Sequence, residues 1–323
     1  MDDHIKVTAS YLQKLWESEH PDEEELQKYF DVDYTNPFAS ELKLKQNVQI
    51  VDESDAVQDL GLALDLFNWR SRKKRKQRYE EFIRLHSHTP RIVSEGDSWF
   101  QHPLVTDTID HLLKYYPVFS IGAAGDTLRN MHHKGEWLKS IQKIKPNLFL
   151  LSAGGNDILG EQFKDFLVEY TNGHAPGEHP ERFMNQRFHD ELETLKKIYT
   201  DVFETLKGEN PDLPVIVHGY DYVIPNNPNV PGKWYQSKDK SWLGDYMIKK
   251  GIVDIKDKQS IIAYVLNLFN NHLSNLDDMF SQVHYVDLRH TIREDQWHDE
   301  IHPNRDGYQQ VALKIREKIR EII

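Results

Sequence analysis

The sequence predicts an α/β protein, a three-layer α/β/α sandwich around a central, mostly parallel sheet of five strands. Two observations predict it. From about residue 90 onward, short apolar runs alternate with segments of helical character, which is the pattern of strands joined by crossover helices. Pro90 ends a long helical stretch immediately before this alternation begins. The five apolar runs are RIVSE (91–95), PVFSI (117–121), NLFLLSA (147–153), LPVIVHG (213–219) and VHYVDL (283–288).

Helices are predicted between and after these strands. The sequence pattern predicts them over 104–115, 127–144 and 180–208, and from about 306 to the end. This organisation divides the chain into an N-terminal helical extension, residues 1–88, and one α/β domain, residues 89–323. The interval from about 160 to 258 is longer than a sheet connection requires, so we expect an insertion there. Its second part, 219–258, is rich in Pro, Trp and Tyr and is expected to form a long loop or lid.

The N-terminal extension begins acidic and later becomes basic. Residues 5–18 carry apolar side chains at roughly helical spacing, and residues 54–85 predict one long helix. The middle of that helix holds RSRKKRKQR (70–78). Basic runs of this kind occur in nuclear localisation signals and in polyphosphate-binding patches. Such a run is also typical of a solvated helix face, and Glu80 and Glu81 partly offset its charge, so we favour the solvated face. The extension could also carry a homo-oligomer contact through its helices.

The composition excludes several classes of protein. The chain of 323 residues has a formal net charge of -12, which argues against nucleic-acid partners and against docking to anionic membranes. It contains no cysteine, so disulfides, thiol nucleophiles and cysteine-ligated zinc are excluded. No apolar run is long enough to span a bilayer, and the first residues do not have the pattern of a signal peptide. We therefore expect a cytoplasmic protein without a transmembrane segment, with export by a leaderless route left open.

Four short motifs place polar residues next to predicted strands or helices. The first three strands run into SEGDSWF with Ser98, IGAAGDTL with Gly125, and LSAGGNDIL with Asn156. The fourth motif, WHDEIHPNRDGY, holds Asp299 and His302 on a loop before the last helix. Each motif alone is also explained by an ordinary turn or helix cap, which favour Gly, Asp and Asn. Because the carboxyl ends of parallel strands meet at one edge of the sheet, we expect all four motifs around one hollow.

These residue types suit nucleophilic catalysis. A carboxylate three residues before a histidine can hold the ring N–H and fix its tautomer, and that histidine can take the proton of a serine. Asn156 can donate an amide N–H to a developing oxyanion without supplying a competing proton, and Gly125 can present its backbone N–H. The neighbouring carboxylates are expected to fix turns rather than do chemistry: Asp97, Asp126 and Asp157.

In order, residue type and context, the motifs closely resemble those of the SGNH hydrolases, also called GDSL-like esterases and lipases. That family is named for a serine, a glycine, an asparagine and a histidine. They appear here as Ser98 in GDSW, Gly125 in GAAGDT, Asn156 in GGND and His302 in DEIHPN. The resemblance spans about residues 91–320 and implies a flavodoxin-like sheet.

The resemblance also implies a serine hydrolase that cleaves carboxylic esters through an acyl-enzyme. It makes Ser98 the nucleophile, His302 the general base and Asp299 the group that orients the histidine. It forms the oxyanion hole from the backbone N–H groups of Ser98 and Gly125 and the side chain of Asn156. It implies neither a metal nor an organic cofactor.

One residue departs from the family name, because Trp99 follows the serine where the name implies leucine. Trp99 and Phe100 either line the substrate pocket or pack under the sheet. Aromatic residues of the 219–258 region are also expected to contact substrate, since the fourth strand ends at the same edge. They are Tyr220, Tyr222, Trp234 and Trp242. The alternative is that these rings anchor a long loop to the core.

The expected partner is a small-molecule or lipid ester. A phospholipase effector acting on membrane lipid is one alternative, and an acyltransferase is another. A catalytically inactive binding module on the same fold is the alternative of a different class. The sequence favours an active enzyme, because every residue that the family's chemistry needs is present. It names neither the acyl group nor the alcohol of the substrate.

Overall fold

The N-terminal part of the computed structural model contains strands as well as helix. The structure describes residues 5–8, 11–12, 15, 25, 28–33, 41–51, 63–102, 105–226 and 242–323. Strand β1 (Ile5–Val7) pairs in parallel with β4 (Val48–Ile50), and β2 (Phe30–Asp33) pairs antiparallel with β3 (Glu41–Leu44). The helical prediction for residues 5–18 is therefore wrong at residues 5–7. The reason is that two β-branched side chains flanking one lysine suit a strand, and a distant segment supplies its partner.

Helix α1 (Ala63–Leu85) confirms the predicted long helix over the part that the structure describes. It packs against the main sheet near residues 118–120. The basic run in its middle is not simply a solvated face, which corrects the interpretation that we favoured. Arg75 is buried, and Arg72 is bound to two acceptors of the α/β domain. The physical reason is that a long arginine stem can pack on apolar surface while its guanidinium meets buried carbonyls and carboxylates.

The main sheet confirms the predicted fold class. Its five strands are β5 (Ile92–Gly96), β6 (Val118–Ser120), β7 (Leu148–Ser152), β8 (Val215–His218) and β9 (Val283–Val286). They are ordered β6-β5-β7-β8-β9, and every pairing is parallel. This is the flavodoxin-like order: the second strand is added on one side of the first, and all later strands are added on the other side. Both neighbouring strands β5 and β7 are buried at every residue, which explains their nearly continuous apolar sequences.

Helices cover both faces of the sheet. They are α2 (Thr108–Leu112), α3 (Leu128–Lys134), α4 (Glu136–Ile144), α5 (Gly155–Leu159), α6 (Phe163–Phe166), α7 (Gln186–Glu209), α8 (Leu243–Lys249), α9 (Ile255–Met279) and α10 (Arg305–Ile322). Helices α2 and α10 pack on each other, whereas α7 packs against α3 and α9. Right-handed crossovers place these two groups on opposite faces. Short 3₁₀ turns occupy Pro180–Phe183 and Glu294–Gln296.

Two helical predictions differ in detail from the structure. The helix expected over 127–144 is two helices, because Gly135 closes α3 in a left-handed conformation with φ of 59°. The segment 180–208 contains a 3₁₀ turn followed by α7, a helix that Asn185 caps. Among the described residues, no helix is both long and apolar enough to cross a membrane.

Candidate active site

Ser98 lies in a tight turn directly after the central strand β5. The backbone N–H of Asp97 donates to Ser152 O on β7 at 3.0 Å, so the turn begins while the chain is still paired with the sheet. The N–H groups of Phe100 and Gln101 then donate back to Asp97 O, at 3.0 and 2.9 Å. The Ser98 carbonyl accepts from the hydroxyl of a tyrosine on α10 at 3.1 Å. The serine is therefore presented from a backbone that is fixed on both sides.

His302 lies on a loop that folds onto itself before α10. The loop is closed by a bridge between Trp297 and Pro303, and His298 N–H donates to His302 O at 2.8 Å. Asn304 caps α10 by accepting from two backbone N–H groups of its first turn. The bridge and the helix cap therefore fix the backbone position of His302 relative to the first turn of α10.

The structure brings Ser98, His302 and Asp299 into one chain of hydrogen bonds. Ser98 Oγ lies 2.8 Å from His302 Nε2, and His302 Nδ1 lies 2.8 Å from Asp299 Oδ2. The second oxygen, Asp299 Oδ1, accepts from the backbone N–H of Ile301 at 2.9 Å and of His302 at 2.7 Å. Burial alone would raise the pKa of Asp299, but the imidazole of His302 and these hydrogen bonds hold it below its ordinary value. The buried carboxylate therefore stays charged beside the imidazole.

Gly125 lies in the loop that follows β6. It has φ of 76°, a conformation that favours glycine. The loop is attached to β5, because Ala123 N–H donates to Gly96 O at 2.8 Å. Thr127 caps α3 by accepting from Asn130 N–H at 3.1 Å. The loop with Gly125 therefore lies beside the strand that leads to Ser98.

Asn156 lies in the first turn of α5, directly after β7. Its side chain is buried, and its amide donates to Asp126 O at 2.8 Å, next to Gly125. The amide nitrogen carries two hydrogens, so this bond engages one of its two donors. The residues predicted from the second and third motifs thus meet at the same edge of the sheet as Ser98.

Asp97 joins three strand ends beneath this arrangement. Its carboxylate accepts from Trp99 N–H and Ser152 Oγ, each at 3.0 Å, and from the hydroxyl of Tyr220. Burial raises the pKa of Asp97 to about 6, against the lowering effect of these donors. The structure agrees with the expectation that this aspartate fixes its turn.

Asp157 ties two motif loops together. Its carboxylate accepts from Leu128 N–H at 2.7 Å and, more weakly, from Arg129 N–H at 3.5 Å, at the start of α3. Burial raises the pKa of Asp157 to about 7, although these hydrogen bonds oppose the shift. The side chain thus fixes the turn after β7 to the helix that follows the Gly125 loop.

Two further histidines lie near His302, and sequence reasoning missed them because no motif or spacing in the chain marks them. The rings of His102 and His302 meet edge to face with centroids 4.8 Å apart, and His298 lies 5.4 Å from His102. Burial, followed by repulsion from the other two imidazoles, lowers the pKa of His102 well below its ordinary value. A neutral ring at this position does not compete with His302 for the charge of Asp299.

His102, His298 and Asp299 are also the group among the described residues whose ligand atoms could hold a metal ion, all within 4.8 Å of one another. Their hydrogen bonds argue against that use. His102 Nδ1 accepts from Val105 N–H at 3.0 Å, which leaves the proton of a neutral ring on Nε2 rather than a free lone pair. Both oxygens of Asp299 are engaged by the His302 loop. These side chains pack around His302 and bind it instead of presenting free ligand atoms to a metal ion.

Three of the predicted substrate-contacting residues lie in the core instead. Trp99 and Phe100 are 3% and 1% exposed, and Trp99 Nε1 donates to Ile301 O at 3.2 Å. Tyr220 is also buried, between the turns of Asp97 and Gly155, from whose N–H it accepts at 3.1 Å. Because they lie beneath the site, packing accounts for all three, and their prediction as substrate contacts is corrected.

The other aromatic predictions have different outcomes. Trp242 precedes α8, and its ring meets the His302 imidazole edge to face at 5.5 Å. Tyr222 is half-buried; its hydroxyl donates to Asn267 at 2.7 Å. Trp234 lies outside the described residues, as does the central part of the predicted lid.

Glu300 was missed by sequence reasoning. It is buried, and its carboxylate accepts from the backbone N–H groups of Asn226, Leu243 and Gly244. It thereby fixes the start of α8, and with it Trp242, to the loop that carries His302. Glu300 lies inside the DEIHPN motif, in which the sequence pattern assigned a role only to Asp299 and His302.

Comparison with known proteins gives one family match. The model of the GDSL-like Lipase/Acylhydrolase family matches residues 94–315. A search of curated proteins finds no significant match.

Solved structures with similar folds include an extracellular lipase from Streptomyces rimosus, with 12% identity, a TM-score of 0.46, and coverage of 71% of this chain and 99% of that one. A lipase from a goat rumen metagenome has 13% identity, a TM-score of 0.46, and coverage of 71% and 97%. Phospholipase A1 from Streptomyces albidoflavus has 14% identity, a TM-score of 0.43, and coverage of 71% and 99%.

Proposed function

Because the chain belongs to the GDSL-like lipase/acylhydrolase family, we propose that this hydrolase cleaves carboxylic esters through an acyl-enzyme on Ser98. The observation that carries the proposal is the continuous hydrogen-bond chain from Asp299 through His302 to Ser98, with both links at 2.8 Å. A nucleophile bonded to a base, and the base bonded to an orienting carboxylate, is the arrangement that activates a serine hydroxyl.

In the first step, Ser98 Oγ attacks the ester carbonyl carbon while its proton passes to His302 Nε2. Asp299 keeps the proton of His302 on Nδ1 and stabilises the imidazolium that forms. The tetrahedral intermediate then collapses, the C–O bond to the alcohol breaks, and His302 returns the proton to the leaving oxygen. Water repeats the sequence on the acyl-enzyme, which releases the acid and frees Ser98 Oγ.

The oxyanion is held by three N–H donors in this proposal. They are the backbone N–H groups of Ser98 and Gly125 and the side-chain amide of Asn156. The bond from Asn156 to Asp126 O supports its part, because it orients the amide and leaves its second N–H for the substrate. Loss of one such donor typically costs about 2.7–4 kcal/mol of transition-state stabilisation.

The substrate is either a small acyl ester or a lipid ester, and the two are separated by experiment. Hydrolysis is measured on p-nitrophenyl esters of increasing acyl length, on acetylated sugars and on phosphatidylcholine vesicles. We expect the wild type to release the alcohol from at least one of these three substrate classes, and Ser98→Ala to release almost none. The matched control is Ser281→Ala, which changes an exposed serine before β9 and should keep wild-type turnover.

A fluorophosphonate probe separates an enzyme from an inactive binding module on the same fold. The proposal expects one covalent adduct on the peptide that contains Ser98, and none in Ser98→Ala. Wild-type turnover by Ser98→Ala would disprove the assignment of the nucleophile. A wild-type protein that binds esters but neither labels nor hydrolyses would favour the binding module.

A further inference from the structure

Helix α1 places two arginines of the basic run on the backbone of the active-site loops. Arg72 and Arg75 are three residues apart, so they lie on one face of the helix. Arg72 Nε donates to Gly122 O at 2.9 Å, and its Nη1 lies 3.1 Å from Glu136. This helix precedes residues 94–315, to which the family model matches.

Arg75 is buried, and both terminal nitrogens of its guanidinium are engaged. Its Nη1 donates to Phe100 O at 2.6 Å and to Gln101 Oε1 at 2.7 Å, and its Nη2 donates to Asp107 Oδ2 at 2.5 Å. Asp110 lies 3.2 Å from the same nitrogen. Burial alone would lower the pKa of Arg75, but the two carboxylates raise it above its ordinary value, so the guanidinium stays charged.

The acceptors of Arg75 belong to the segment that presents the nucleophile. Phe100 stands two residues after Ser98, in the turn whose N–H groups bond back to Asp97 O. Asp107 in turn accepts from the backbone N–H of His102 at 2.8 Å, and the His102 ring packs on His302. One guanidinium therefore binds both Phe100, in the turn after Ser98, and Asp107, which holds His102.

The acceptor of Arg72 belongs to the loop that leads to Gly125. Gly122 lies so close to β5 that a Cβ atom there would come within 2.9 Å of Gly96 O. Ala123 N–H bonds to that same carbonyl. Arg72 thus binds the same loop that Ala123 attaches to β5.

We infer that Arg75 and Arg72 are positioning residues. They hold the loops of Ser98 and Gly125 so that the distance between the two backbone N–H groups stays fixed. This inference rests on the proposed function, in which those two N–H groups share the oxyanion. Neither arginine touches the reacting atoms, so both act through the loop backbones. A lysine at position 75 would keep the charge but could not span a carbonyl, an amide oxygen and a carboxylate at once, since only guanidinium has a rigid fork of donors.

The test compares Arg75→Ala, Arg75→Lys and Arg72→Ala with the wild type. Measured are kcat and KM on the best ester of the substrate panel, the rate of Ser98 labelling by a fluorophosphonate, and the melting temperature. We expect Arg75→Ala to lose about tenfold to hundredfold in kcat and in labelling rate, because small displacements of catalytic groups have effects of that size. KM should change little, and Arg75→Lys should recover only part of the loss.

Two controls separate positioning from general destabilisation. Lys76→Ala removes an exposed cation next to Arg75 and should leave all readouts unchanged. Ile319→Ala removes a buried side chain near the far end of α10 and should lower the melting temperature while leaving kcat intact at temperatures where the protein is folded. If Arg75→Ala does not fold, Arg72→Ala and Arg75→Lys carry the test, since Arg72 is partly exposed.

The outcomes distinguish this inference from the proposed function. An active wild type whose arginine variants keep kcat and labelling rate would overturn the inference alone. A loss no larger than that of Ile319→Ala at an equal fall in melting temperature would also overturn it. A wild type that neither hydrolyses esters nor labels would overturn the proposed function and this inference together.

Discussion

The hydroxyl of Tyr220 donates a hydrogen bond to the carboxylate of Asp97, and so joins the segment that follows β8 to the turn that carries Ser98. The same hydroxyl accepts from Gly155 N–H at the start of the turn that carries Asn156. A Cβ atom on Gly155 would come within 2.7 Å of the Tyr220 ring, so glycine is needed for this approach. Tyr220 is therefore a buried strut between two of the motif loops.

Replacing this tyrosine tests the strut. Tyr220→Phe leaves the Gly155 N–H without its acceptor and removes one donor from the buried Asp97 carboxylate. We expect the free energy of unfolding in urea to fall by about 1–3 kcal/mol, the cost of leaving buried polar groups unsatisfied. Tyr222→Phe removes a hydroxyl from a half-buried ring and should cost less. A Tyr220→Phe variant as stable as the wild type would show that the strut has no energetic role.

The carboxylate beside His302 is tested by an isosteric change. Asp299→Asn keeps the shape of the side chain but presents an amide to His302 Nδ1, which favours the wrong tautomer and removes the charge that stabilises the imidazolium. The same change in a serine protease triad lowers kcat by about 10⁴, and we expect a loss of that order here. Circular dichroism checks that the variant is folded, and exposed Asp295→Asn is the control. A loss below tenfold would mean that Asp299 is not the orienting group.

The strands and the four motifs could be predicted because their signals are local. Each strand is a short apolar run, and parallel order follows from the helices between the runs. The carboxyl ends of the strands and the start of the last helix were expected at one sheet edge, so the meeting of Ser98 with His302 required no knowledge of side-chain packing.

The rest depends on contacts between distant segments. The buried face of α1, where the structure describes its side chains, combines Arg72 and Arg75 with the ring of Tyr79, so hydrophobic periodicity did not reveal how the helix docks. Residues 5–7 form a strand only because residues 48–50 pair with them. Tyr220 was mistaken for a substrate contact, because a tyrosine after a strand suits either a cleft or a strut, and only its burial decides.

Asp157 predicts a pH dependence of stability. The raised pKa means that, between the ordinary value of 3.8 and about 7, the folded protein keeps a proton that the unfolded chain has released. The contribution of Asp157 to stability therefore falls as the pH rises through that window and becomes constant above it. In Asp157→Asn this titration is absent.

The measurement is urea unfolding of both proteins at several pH values from about 4 to about 8. The stability of the wild type minus that of Asp157→Asn should decline up to about pH 7 and then level off. Exposed Asp212→Asn serves as the control for general charge effects. A difference that rises with pH would give the opposite sign and contradict the burial argument.

Glu300 and Trp242 lead to a prediction about specificity. The carboxylate of Glu300 accepts from the N–H groups of Leu243 and Gly244. These bonds fix Trp242, the residue before them, beside His302. Because the Trp242 ring lies 5.5 Å from the imidazole, we expect it to form a wall beside the acyl group or the leaving alcohol. Glu300→Ala frees three backbone donors, of which those of Leu243 and Gly244 are buried, and should let this wall move.

We expect Trp242→Ala to change the preference for acyl length while Ser98 stays reactive. A lost apolar contact in a binding pocket is worth about 10–200-fold in kcat/KM, so the variant should lose at least tenfold on the ester that the wild type prefers. Labelling by a small fluorophosphonate should remain within about threefold of the wild type, because that probe needs little of the wall. Tyr115→Ala, which changes an exposed aromatic residue that is not among the predicted substrate contacts, should leave the length preference unchanged. If Trp242→Ala and the wild type share one acyl-length profile, the ring packs against His302 without contacting substrate.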